Sequence, residues 1–322
     1  MTSRERVQAV LSGKKPDRLP FNFWMDRDLM ARLDRELGSE FRITHYGADV
    51  LETFINYDWN CGFRPKYITD EKTSWQQSPA LDDIEMLWDL KFPAVSKDTY
   101  KWIHNDRSRF PDAALFAMCS TPLDAFFGLR MMENAFIDFY ENPEAVEHFF
   151  KEAGKAVTAL VRGLKDCDID VLYMAGDICS SKGLIMSPDM LRKYCFEPIR
   201  EAIDEAHKIG KKVFYHSDGN LDDALPIYLE YGLDGINPLQ PHVNDSAAFK
   251  KNYGGKLMLY GGIDNCFSIA GKTPGEVRRH ILSQYEILGN DGGLIFSSHD
   301  IPGHASVESI DAMVDAIKSI KI

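Results

Sequence analysis

Eight short apolar runs, rich in β-branched and aromatic residues, recur along the chain, and segments of helical period separate most of them. The runs are RLPFNFW (18–24), DVLETFI (49–55), AALFAMC (113–119), DVLYMAG (170–176), KVFYHSD (212–218), DGINPLQ (234–240), KLMLYGG (256–262) and GGLIFSS (292–298). Strands that alternate with helices predict a parallel sheet, because each parallel pair needs a long crossover. Eight such strands predict an α/β protein built as a closed (β/α)8 TIM barrel rather than an open sheet. The length of 322 residues suits one barrel, so a single domain over 1–322 is expected. No G-x-G-x-x-G follows the first run and no P-loop occurs, which removes the main support for open-sheet nucleotide-binding folds.

The helical segments carry their own boundary signals. PEAVEHFFKEAGKAVTALVRGL opens on Pro143, a residue suited to a first turn. SPDMLRKYCFEPIREAIDEAHKIG starts with Ser187 as a cap and Pro188 just inside; its second proline, Pro198, predicts a kink or split, and Gly210 ends it. TPGEVRRHILSQYEILG repeats the Thr-Pro start and Gly stop, and the last helix begins with capping-box spacing at Ser306. Residues 56–112 are longer than one crossover needs and hold several prolines and tryptophans; they are expected to form an elaborated βα loop that lines a pocket.

Charge narrows the function. The chain has 37 basic and 49 acidic residues, a net charge of −12, with no Lys/Arg cluster. Non-specific nucleic-acid binding and docking on an anionic membrane are therefore disfavoured. No apolar run approaches the ~20 residues of a membrane span, and the N-terminus lacks an apolar signal core, so a cytoplasmic location is expected. The six cysteines form no C-x-x-C pair, and a chain of this size does not need disulfides to fold. Cys179 and Cys195 read as ordinary buried thiols. His148, His207 and His280 fall inside helices and read as surface residues.

In a barrel, catalytic groups come from the carboxyl ends of the strands. The fourth run ends near Asp177, the fifth at His216 and Asp218, the sixth at Asn237 and Gln240, the seventh at Asp264, and the eighth at His299 and Asp300. Singly, each has a structural reading: an aspartate before glycine often bonds its own backbone in a turn, and a strand-end histidine is often just a satisfied core residue. Together they mark one rim. Strand period places His216 and Asp218 on one face, and His299 can reach the same space. Two imidazoles and a carboxylate can hold a divalent metal or can handle protons. His216, Asp218 and His299 are the candidate metal ligands, and Asp177, Asp264, Asn237 and Gln240 the candidate catalytic residues.

Several segments resemble the uroporphyrinogen decarboxylase superfamily, which includes corrinoid-linked methyltransferases. SRERVQAVLSGKKPDRLPFNFW is similar to its N-terminal helix and first strand, and GLIMSPDMLRKYCFEPIREAI to its central segment. YHSDGNLDDALPIYLEYGLDGINPLQP, LYGGID and SSHDIPGHASVESIDAM resemble its last strand ends in order. The arginine-rich first loop of true decarboxylases, MRQAGRY, is WMDRDLM here, with Arg27 alone to stand for it; the family's essential aspartate finds only Asp49 and Asp58 as candidates. Loss of those cations would cost much of the binding of a polyacid substrate. The methyltransferase branch holds zinc with His-x-Cys on strand five and Cys on strand eight; here His216-Ser217-Asp218 and His299 stand at the similar positions. The resemblance thus implies a zinc or other divalent-metal enzyme that exchanges methyl groups between a small, oxygen-linked substrate and a corrinoid carried on a partner protein. The alternatives are uroporphyrinogen decarboxylation and a non-catalytic, small-ligand-binding barrel. A homodimer is open to either enzyme.

Overall fold

The apolar runs form eight parallel strands: β1 (Phe21–Met25), β2 (Val50–Phe54), β3 (Ala114–Ser120), β4 (Val171–Ala175), β5 (Lys212–His216), β6 (Gly235–Asn237), β7 (Met258–Gly262) and β8 (Leu294–Ile301). The structure is a computed structural model, and it describes residues 1–69, 74–289 and 292–322. Parallel ladders join the strands in the order β1–β8–β7–β6–β5–β4–β3–β2. That circular order, with helices around it, makes a nearly closed (β/α)8 TIM barrel.

Between β1 and β2, side chains do much of what a ladder does elsewhere. Asp49 N–H donates to Phe21 O at 2.8 Å, and Phe21 N–H donates back to the Asp49 carboxylate at 2.9 Å. The same carboxylate accepts from Arg6 at 2.6 Å and from Arg18 at 2.7 Å. Toward the other end of the seam, Arg42 donates to Phe23 O at 3.2 Å, lies 3.6 Å from the Glu52 carboxylate and stacks over Trp24 at 4.2 Å. Asp49 therefore sits at the start of its strand, bound up in the seam and away from the mouth of the barrel.

Alternate residues of the strands fill the barrel interior. Val50, Phe116, Val171, Tyr173, Phe214, Tyr260 and Ile295 pack as one apolar cluster, and Val7 and Val10 of the helix Ser3–Leu11 join it. Gly235 makes room for this packing: a Cβ there would lie 2.6 Å from the Phe214 ring. Two residues further along the same strands the interior turns polar, with Glu52 after Val50, His216 after Phe214 and Ser297 after Ile295, all buried. The outward residues pack against the surrounding helices in a second, larger core.

The helices follow their signals with one exception. Pro143–Gly163 runs as expected, and Ser187 Oγ accepts from Met190 N–H to start the next segment. That segment divides into Pro188–Leu191, a π-helical turn Arg192–Phe196 and Glu197–Lys208. Pro198 cannot donate to the carbonyl four residues back, so the ladder widens just before it. Thr273 and Glu276 form a full capping box. Ser306 accepts from Ser309 N–H, but the third helical residue is serine rather than glutamate, so the reciprocal half of the expected box is missing. Residues 56–112 build a hairpin (Lys66–Thr69 with Ser74–Ser78), two 3-10 turns (Ile84–Asp89 and Lys97–Tyr100) and the helix Lys101–Arg109. This elaboration does line a recess, of about 560 Å3, through Tyr57, Trp59 and Gln76. Among the described residues, no helix is long and apolar enough to cross a membrane.

Candidate metal centre

His216 is the last residue of β5, and it points into the mouth because Phe214, two residues earlier, fills the interior. The chain then turns through Ser217, Asp218 and Gly219, with Gly219 at φ 97°. Only glycine fits there, since a Cβ would lie 2.5 Å from Ser180 O. Asp177 and Gln240 hold this turn: Asp218 N–H donates to Asp177 Oδ1 at 2.9 Å and Gly219 N–H to Gln240 Oε1 at 2.8 Å. His299, on β8, enters from across the mouth, and its ring centre lies 4.5 Å from that of His216. One donor atom each from His216, Asp218 and His299 lie within 4.8 Å of one another.

Asn237 fixes the state of His216. Its Nδ2 donates to Tyr260 O at 2.5 Å, which settles the orientation of the amide. Its Oδ1 therefore accepts, from Tyr173 Oη–H at 2.6 Å and from His216 Nδ1–H at 2.7 Å. With the proton on Nδ1, His216 presents the Nε2 lone pair to the mouth, 3.7 Å from Asp177 Oδ1. Burial, and then the neighbouring His299, hold the His216 pKa below its ordinary value. Burial pushes the His299 pKa down, but Asp218 beside it more than offsets this and raises it. Burial works against the Asp218 anion too, but His299 outweighs it and the carboxyl pKa is lowered.

A divalent metal suits these residues. His299 Nδ1 and Asp218 Oδ1 are both buried and have no hydrogen-bond partner among the described residues. Asp218 Oδ2 is 3.5 Å from His299 Nδ1. Each unpaired buried polar atom costs about 1–3 kcal/mol, and a shared cation would satisfy both. Two imidazole nitrogens and a carboxylate oxygen are also an ordinary donor set for zinc, harder than one that includes thiolates.

The other predicted residues take different positions. Asp264 caps the short helix Asn265–Ser268, accepting from Cys266 N–H at 3.0 Å and Phe267 N–H at 3.1 Å, and faces His242 at 3.3 Å. It shapes the β7 loop and does not join the three-residue cluster. Asp300 is on the exposed rim at φ 46°, 3.6 Å from His299. Asp58 pairs with Arg64 at 3.1 Å in an exposed loop, and Arg27 is 78% exposed. Cys179 and Cys195 are buried, and burial pushes both thiols up to about 12. Of the helical histidines, His207 is partly exposed and bonds Asp234 at 2.8 Å. His280 departs from the surface reading: it is half-buried and its Nε2 accepts from Asp264 N–H at 3.1 Å. His148 is also half-buried, packed on Trp88.

Sequence reasoning missed the polar layer beneath the cluster. Glu52 is buried in the interior, where Asn22 Nδ2 donates to its two oxygens at 2.8 and 2.9 Å and Tyr260 Oη–H also donates to it. The available signal was an acid two residues after Val50 inside a β-rich run. Asp124 was missed as well: it stands one helical turn past β3, on the wall of the recess.

The fold has known counterparts. A methyltransferase from Methanosarcina mazei superposes with a TM-score of 0.75 at 16% identity, over 98% of each chain. A B12-independent methionine synthase from Shewanella sp. W3-18-1 gives a TM-score of 0.46 at 12% identity, over 89% of this chain and 84% of the other. A search of curated proteins by sequence finds no match. The family model described as Uroporphyrinogen decarboxylase (URO-D) matches residues 62–320, so the chain belongs to the uroporphyrinogen decarboxylase family.

Proposed function

We propose that this protein is a metal-dependent methyltransferase. It moves a methyl group between a small, oxygen-linked substrate and the corrinoid of a partner protein. The observation that carries the reading is the convergence of His216, Asp218 and His299, with His299 Nδ1 and Asp218 Oδ1 buried and without a hydrogen bond among the described residues. The likeness in fold to a methyltransferase over 98% of both chains supports it. His216 Nε2, an Asp218 oxygen and a His299 nitrogen would hold the ion, zinc being the best match to the donors. When bound, the metal supplies Lewis acidity toward the substrate oxygen.

The remaining residues prepare the site. Asn237 keeps the His216 proton on Nδ1, so that Nε2 stays free. Asp177 and Gln240 hold the 218–219 backbone and thereby aim the Asp218 carboxylate. A reduced corrinoid on the partner would supply the electron pair that takes the methyl group, and the substrate oxygen would keep the electrons of the broken carbon–oxygen bond and take a proton to leave as an alcohol.

Decarboxylation of uroporphyrinogen is the family's namesake reaction, and the recess formed after β2 and β3 suits it poorly. A tetrapyrrole polyacid calls for cations, but the described lining of the recess contains no Lys or Arg, and Arg27 points to solvent. The test is elemental analysis of the purified protein with and without added zinc. Binding of about one equivalent, lost in His299→Ala, supports the metal reading. Negligible zinc in both proteins, or turnover of uroporphyrinogen on the order of 1 s⁻¹, would overturn it.

A further inference from the structure

The recess of about 560 Å3 formed by the segments that follow β2 and β3 has a one-sided chemistry. Its aromatic residues are Tyr57, Trp59 and Phe127, with the Tyr57 and Trp59 rings 5.0 Å apart at 71°. Its acids are Asp58, Asp124 and Glu133. Arg64 pairs with Asp58, whereas no cation pairs with Asp124 or Glu133 among the described residues. Aromatic faces and carboxylates share one preference: both attract positive charge. Neither welcomes an anion.

A short chain of contacts links the recess to the candidate metal centre. Asp124 packs on the turn after β4, where a Cβ on Gly176 would lie 3.6 Å from Asp124 Cβ. The next residue, Asp177, is 3.7 Å from His216 Nε2. Asp124 is exposed to the recess, so its carboxylate is open to a positive charge brought there.

We infer that this recess is a subsite for the positively charged part of the substrate, a substituted ammonium held by the aromatic residues Tyr57, Trp59 and Phe127 and the carboxylates Asp124 and Glu133. As a statement about the substrate it rests on the methyltransferase reading: the molecule carries its ammonium here and its methylated oxygen at the His216–Asp218–His299 cluster.

The test uses the metal-free full-length protein, so that a failure of zinc binding leaves its outcome separate. Tetramethylammonium chloride and sodium methanesulfonate are titrated calorimetrically at equal ionic strength. Saturable binding of tetramethylammonium, about tenfold or more tighter than methanesulfonate, is expected. The double substitution Asp124→Asn, Glu133→Gln should weaken cation binding by a similar factor, and Trp59→Leu should weaken it independently. Thermal melts confirm that each variant is folded. Equal binding of the two probes, no binding of either, or unchanged cation affinity in the folded double variant would overturn the inference.

Discussion

Asp218 is a residue with two competing explanations, a turn former or a ligand, and substitution separates them. Asp218→Cys is expected to keep zinc, because thiolate is a good zinc ligand, while Asp218→Ala loses it. A turn former would show no difference in zinc content and only a modest loss of stability. Asn237 acts one bond further out. Asn237→Ala frees the His216 tautomer and removes the acceptor of Tyr173, so zinc affinity should fall about 10–100-fold, as read by competition with a chelator. Asp124 makes a pH-dependent prediction. Its folded pKa, about 6 against an ordinary 3.8, means that ionisation costs stability above the folded value and costs nothing below the ordinary one. Asp124→Asn should therefore melt higher than wild type near pH 8 and equally near pH 3.5. The gain should not exceed about 1 kcal/mol, because the carboxylate faces the solvent of the recess.

The elements show which features the sequence announces and which it hides. Strand positions were legible because a parallel strand buried on both faces must be a compact apolar run, and DVLYMAG and KVFYHSD became β4 and β5. Helix ends were legible from Ser187, Pro188 and Thr273, and the break in the 188–208 helix from Pro198. The strand-end rule found His216, Asp218 and His299, which do come together. It also named Asp264 a candidate catalytic residue, and could not show that its carboxylate caps the helix Asn265–Ser268, because a loop residue's direction depends on which N–H groups its carboxylate meets. Glu52 and Asp124 stayed hidden for a related reason: an acid in an apolar run, or in the first turn of a helix, shows its surroundings only when its neighbours from distant segments are known. Close approaches between elements are equally invisible. Gly261 on β7 faces the Pro238 carbonyl so tightly that a Cβ would lie 1.6 Å from its oxygen. Gly261→Ala must shift backbone that no side-chain rotation relieves, and it should destabilise the protein by about 3 kcal/mol or more, measurable by denaturant unfolding.

At the scale of the molecule, the barrel couples its centre to its stability. A ligand that binds only the folded state stabilises it by about 4 kcal/mol at a thousand times its dissociation constant, so added zinc should raise the melting temperature of wild type and leave His299→Ala unchanged. The seam between β1 and β2 has a consequence of another kind. Seven joins of the sheet are strand ladders, but this one hangs on a few groups: Asp49 with Arg6 and Arg18 at one end, Arg42 with Phe23 O and Glu52 at the other. A hoop parts at its clasp. Breathing of the folded protein should begin there, and deuterium should enter the amides of β1 and β2 before those of β4 and β5. Because Glu52 also anchors Asn22 and Tyr260, each such opening would loosen the floor on which the mouth of the barrel rests.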